Sequence, residues 1–141
     1  MKTAAFLLLA TTCATMSAGP VDIRTITTGA YAFGKPTATA AHAAQDDVTY
    51  RRLWTSLVGG GSEAPAIDFA SESVVFLIAG QKNTGGWSVV PRGAKVEDDT
   101  LVIDAEIKGP GPDDIVTMAF TSPYAVIAVK AKGYKNVRWD R

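Results

Sequence analysis

The sequence predicts an α+β fold made mainly of antiparallel β-sheet, sandwich-like or barrel-like, with one amphipathic helix near the N-terminus of the mature chain. Three observations carry this. Short apolar runs recur along the chain, bounded by Gly, Pro, Asn and Asp, the pattern of strands joined by turns. Only the stretch after Asp46 repeats its apolar residues at helical spacing, and the run SVVFLIA is apolar at successive positions, as expected of a central strand covered on both faces.

The elements follow in order. MKTAAFLLLATTCATMSAG has one lysine, a short apolar stretch and then small residues. That is the layout of an export signal, too short to span a bilayer stably. Residues 1–18 therefore read as a signal peptide and residues 19–141 as one domain. Cys13 stands where a lipoprotein signal would place its lipidated residue, after the degenerate lipobox Ala10-Thr11-Thr12. The alternative is cleavage further on, near Ala18, with Cys13 discarded. VDIRTITTGAYAF, Val21 to Phe33, is rich in Val, Ile and Thr and reads as one or two strands. The small-residue stretch TATAAHAA reads as a surface loop.

Next comes the helix. Tyr50, Leu53, Trp54, Leu57 and Val58 recur at i, i+3, i+4, i+7 and i+8, one face of a helix. Asp46 or Asp47 supplies the N-cap, Gly59 the stop, and Trp54 a core anchor. Arg51 and Arg52 fall on the wet side. Ser73 to Ala79 forms the central strand. WSVVP begins a further strand at Trp87 and is stopped by Pro91. Between the two, Gly85 and Gly86 read as a hairpin turn. LVIDAEIK alternates, with Leu101, Ile103, Ala105 and Ile107 on one face. DIVTMAF, Asp113 to Phe120, reads as another strand, the turn TSPY precedes AVIAVKAK, and NVRW closes the series.

Composition narrows the function. Hydrophobic residues make up 47% and charged residues 20%, and the formal net charge is +0. No basic stripe exists to neutralise phosphates, which argues against nucleic-acid binding. With Cys13 gone or lipidated, neither a disulfide framework nor a thiol nucleophile remains. The single histidine, His42, has no second nitrogen or thiolate nearby with which to bind a metal, and reads as a solvated loop residue. Glu97-Asp98-Asp99 and Asp113-Asp114 lack the oxygen spacing that calcium needs and read as turn chemistry. No nucleophile elbow, phosphate loop or dinucleotide fingerprint occurs. We therefore expect no enzyme, no catalytic, cofactor-binding or metal residues, and no bound cofactor.

The stretch GQKNTGGWSV raises the functional question, because a tight turn needs glycines but no large aromatic directly after them. Here the chain resembles a known family. Leu53-Trp54, Ile67-Asp68-Phe69, the Val74–Ala79 strand, Thr84-Gly85-Gly86-Trp87-Ser88-Val89, Gly109-Pro110-Gly111-Pro112 and Thr121-Ser122-Pro123-Tyr124 resemble, in this order, the PrcB C-terminal domain family, with Trp87 replacing the usual tyrosine. The resemblance implies an exported protein or lipoprotein that assists a bacterial cell-envelope protease complex as a binding or assembly partner. It brings no catalytic residues.

Asn83-Thr84-Gly85-Gly86-Trp87 is also similar to the loop with which chagasin-type inhibitors enter papain-like protease clefts. That similarity implies the alternative of an inhibitor whose Asn83–Trp87 loop protrudes. The candidate partner-binding residues are thus Asn83, Thr84, Gly85, Gly86, Trp87, Ser122, Pro123 and Tyr124, with Trp87 and Tyr124 expected to share a patch if their loops meet. For Trp87 itself, the alternative is a strand-initial residue covering the sheet edge. The expected partner is a protein, with a protease as the class the resemblance implies, and contact with membrane would come only through a lipid on Cys13.

Overall fold

Two four-stranded sheets pack face to face in the computed structural model, which describes residues 19–140. The proposed signal peptide, with Cys13, lies outside the described residues. The first sheet has the order β1 (Gly19–Val21), β5 (Ser88–Glu97), β6 (Thr100–Lys108), β8 (Asn136–Asp140). The second has the order β2 (Ile23–Gly29), β7 (Tyr124–Val129), β4 (Ser73–Ile78), β3 (Ala40–Ala44). Every pairing is antiparallel except that of β6 with β8. The helix α1, Asp47–Leu57, covers the outer face of the second sheet. The expected α+β, mainly antiparallel fold is thus present as two open sheets with a helical layer, and not as a closed barrel.

The burial pattern explains why the centre of the sequence is continuously apolar. Every residue of β4 and β7 is buried, because these strands are covered on both faces. Val75, Leu77, Ile127 and Val129 face the first sheet, where they meet Val96, Leu101 and Ile103. Val74, Phe76, Ile78 and Val126 face the helix, where they meet Tyr50 and Trp54. β6 alternates from Ile103 on, with Ile103 and Ala105 buried while Asp104, Glu106 and Lys108 are exposed; before that, Leu101 and Val102 are buried on both faces.

The helix ends where its sequence punctuation falls. Asp46 accepts the Thr49 N–H on Oδ1 at 2.8 Å, and the Thr49 hydroxyl donates to Oδ2 at 2.9 Å. These bonds hold the Asp46 carboxyl below its ordinary range, since they favour the charged form. Gly59, at φ 107, takes the chain out of the helix. The buried aromatics also anchor the connector to β4. The Tyr50 hydroxyl donates to the Pro65 carbonyl at 2.9 Å and Trp54 Nε1 to the Ser62 carbonyl at 3.1 Å, while Phe69 packs on Tyr50 at 5.6 Å between ring centroids.

Four local expectations are corrected. TATAAHAA is not all loop: Ala40–Ala44 pairs with β4 as an edge strand, so His42 is exposed on a strand. Pro91 does not stop β5. It sits beside a bulge between Pro91 and Gly93, where β5 is paired only with β6, and the absence of a second neighbour makes a missing N–H harmless. Gly85-Gly86 is not a hairpin turn, because β4 and β5 belong to different sheets and the segment between them is a crossover. Asp113 to Phe120 is no strand either, as it has no ladder partner and remains largely solvent-facing.

Candidate protein-binding surface

The crossover from Gly80 to Trp87 is clamped along its length by the segment from Gly109 to Thr121. Gly80, at φ 84, turns so closely that an added Cβ would lie 2.8 Å from the Thr37 carbonyl oxygen. The Lys82 N–H donates to the Thr121 carbonyl at 2.8 Å, and the Thr121 N–H returns a bond to Lys82 at 2.9 Å. The Gly85 N–H reaches the Thr117 carbonyl at 2.9 Å, and the Thr121 hydroxyl donates to the Thr84 carbonyl at 2.8 Å. Gly86, at φ 82, fits tightly between Val116 and Pro110. Asn83 is exposed at the bend. The Asn83–Trp87 loop is therefore held against its neighbour through Gly85 and Gly86.

Trp87 is engaged inside this clamp. Its Nε1 donates to the Thr84 hydroxyl at 3.3 Å, its ring crowds Gly109, and Lys82 Nζ lies 4.8 Å from its centroid in a cation–π contact. What remains accessible lines a shallow depression with Ile107, Trp139, Glu106 and Asp140. The Trp139 Nε1 is occupied by the Ala105 carbonyl at 2.9 Å.

Ser122, Pro123 and Tyr124 are buried, which corrects the expectation of a shared Trp87/Tyr124 surface. Ser122 donates its hydroxyl to the Pro36 carbonyl at 3.1 Å. The Tyr124 ring fills the space over Gly29, where an added Cβ would meet Cε1 at 2.6 Å, and it joins the helix-side core. Tyr124 opens β7 and so obeys the in–out geometry of a sheet covered on both sides. A proline-containing turn in the sequence does not reveal that constraint.

The exposed aromatics lie elsewhere. Tyr31, Phe33 and Phe120 are 64%, 61% and 67% accessible and bound one cleft of about 710 Å³. Tyr31 bridges to Ser122, so it sits at the same end of the second sheet as the clamp. Phe33 is fixed at its backbone by a 2.7 Å bond from its N–H to the Leu57 carbonyl, and its ring rests beside Gly59. Ile115 and Met118, on the irregular segment leading to Phe120, are also exposed. Sequence reasoning missed this group, although a signal was present: in GAYAF the small Ala32 is buried between two outward-pointing aromatics, the alternation of an extended chain with one wet face.

Elsewhere the polar groups are arranged for structure. Tyr134 donates to Ser73 Oγ at 2.7 Å, and burial pushes its hydroxyl above the ordinary tyrosine range. Lys95 holds the exposed Glu97 carboxyl below the usual range, chiefly through their hydrogen bond. Asp98, at φ 53, makes the two-residue turn between β5 and β6, and Asp114 accepts the Gly111 N–H at 2.7 Å. The two acidic clusters thus serve turns, as expected. Among the described residues no three His, Cys, Asp or Glu side chains are placed to hold a metal ion. Exposed rings around a cleft are suited to binding by shape and apolar contact.

Residues 73–130 match the family described as PrcB C-terminal. The match runs from the start of β4 to just beyond β7 and contains the whole clamp, so the family resemblance read from the sequence holds over this part of the chain. No curated protein and no solved structure matched.

Proposed function

We propose that this chain, PrcB-like over residues 73–130, is an exported, non-enzymatic accessory protein that binds a component of a cell-envelope protease complex. The family is named for a subunit of such a complex, which supplies the class of partner, and the signal-like N-terminus of the sequence supports export. The observation that carries the site is the exposure of Tyr31, Phe33 and Phe120 around one cleft. Two-thirds exposure leaves roughly 100 Å² of apolar surface on each ring, worth about 2.5 kcal/mol per ring when a partner covers it. Side chains of this kind dominate interface energetics.

The test is affinity capture on the immobilised full chain, with a Phe33→Ala/Phe120→Ala variant alongside, followed by assay of the retained material for peptide hydrolysis. The expected result is protease activity retained by the parent and lost by the variant, with the captured enzyme still active. Equal retention by both proteins overturns the site. Failure of the parent to retain any protease overturns the accessory role, and retention of an inactive protease points to inhibition.

A further inference from the structure

The cleft has a charge as well as an apolar surface. Among the described residues Lys35 is the only charged one that lines it, and it has no carboxylate partner among their ion pairs. Gly34 and Lys35 lie at φ 76 and 48, so the chain folds back after Phe33, and a 3.3 Å bond from the Lys35 N–H to the Ala32 carbonyl closes the turn. The turn thereby sets the Lys35 backbone at the rim of the aromatic cleft, which Lys35 lines.

The floor offers a ligand little. The Ser122 hydroxyl is committed to Pro36 and the Thr121 hydroxyl to Thr84. The backbone N–H groups of Ala32, Thr121 and Ser122 are bonded to the Ser122, Lys82 and Ala30 carbonyls. Recognition is left to the three ring faces, to the Lys35 ammonium and to Gln81, whose exposed carboxamide forms no hydrogen bond with the described residues. A carboxamide offers one acceptor and two donors, which matches a peptide bond.

We propose that this cleft receives a peptide segment of the partner in which an apolar side chain is followed closely by a carboxylate. The apolar side chain enters between Tyr31, Phe33 and Phe120, the carboxylate pairs with Lys35, and Gln81 bonds the intervening backbone. A fatty acid shares the carboxylate and the apolar chain. It has no backbone amide for the Gln81 carboxamide to bond, however. The inference rests on the reading of the aromatic cleft as the partner surface.

The experiment titrates the full chain, isotope-labelled for NMR, with acetyl-Ala-Phe-Leu-Glu-Ala-amide, with the same peptide carrying Lys in place of Glu, and with sodium laurate. The expected result is shifts at Tyr31, Phe33, Lys35, Gln81 and Phe120 with the acidic peptide, at least about tenfold weaker binding of the basic one, and a preference that shrinks as salt rises. Lys35→Glu should reverse the preference, and Phe33→Ala/Phe120→Ala should remove both. Equal binding of the two peptides, laurate binding without peptide binding, or no shifts up to about 1 mM peptide overturns the proposal. Partner capture separates this proposal from the reading beneath it. Capture lost in Phe33→Ala/Phe120→Ala but unchanged in Lys35→Glu sinks only the carboxylate inference, whereas capture unchanged in both sinks the cleft itself.

Discussion

Gly86→Ala loads two strains onto the clamp that sets the position of Phe120. The backbone stands at φ 82, where an L side chain costs about 1–2 kcal/mol. The new Cβ would also lie 2.8 Å from Val116 Cγ1 and 2.9 Å from Pro110 Cβ, closer than packed carbons approach, and relieving that contact costs about 1–2 kcal/mol more. Reduced freedom of the unfolded chain returns about 0.5 kcal/mol. The expected net destabilisation is therefore about 1.5–3.5 kcal/mol, a large part of a typical domain's stability. Denaturant unfolding followed by tryptophan fluorescence should show a lower midpoint with an unchanged slope. Gly60→Ala is the control, since an added Cβ there meets nothing within 4 Å and its φ is ordinary, so it should stay within about 0.5 kcal/mol of the parent. If Gly86→Ala also stays within that margin, the crossover yields to its neighbour and the clamp is not the rigid support inferred here.

Three further outcomes are expected. Trp54→Ala should cost about 3–5 kcal/mol in the same assay, because it empties a core position and leaves the Ser62 carbonyl without its donor; a loss below about 1 kcal/mol would show that the helix is peripheral to stability. Tyr134→Phe should cost about 1 kcal/mol at neutral pH and should flatten the alkaline limb of a stability–pH curve. Burial raises this hydroxyl's folded-state pKa above the ordinary 10.0, so its contribution is fully present below that value and is lost as pH rises through the folded-state pKa; an unchanged alkaline limb contradicts the assignment. Asp46→Ala should lower stability at neutral pH and remove part of its acid dependence. The carboxyl is held below its ordinary 3.8, so its contribution is present above that value and fades as pH falls through the folded-state pKa; parallel acid limbs for parent and variant would refute the cap's role.

Which parts of the fold could be read from the sequence depended on what decides each element. The helix and β6 are decided by their own patterns, Tyr50 and Trp54 at helical spacing and Leu101, Ile103 and Ala105 at alternate positions, and both lie where the patterns put them. β3 is decided by its partner. Alanine has little preference for strands, but β4 has a free edge beside β7, and Ala44 is small enough to be fully buried against the helix-side core. The reverse holds for Asp113 to Phe120: Ile115, Val116, Met118 and Phe120 have strand-like composition, but the available sheet edges lie elsewhere. Pro112 precedes the segment, and the backbone is anchored to the crossover by Thr117 at Gly85 and, just after it, by Thr121 at Lys82.

The same physics separates the aromatics that hold the structure from those that face solvent. No turn requires Trp87, yet its indole N–H, its ring and the cation over it are all engaged within the clamp. Tyr124 is confined by the sheet geometry of β7. Tyr31, Phe33 and Phe120 occupy neither role, and leaving three such rings in water costs solubility that a purely structural role would not compensate. Their backbones are fixed by Leu57, Ser122 and the clamp, so in the proposed binding a partner would not have to order the chain that carries them. In the proposed binding the crossover would act through position: Trp87 and the glycines hold the clamp, and the clamp fixes the backbone beside Phe120, which lines the same cleft as Phe33.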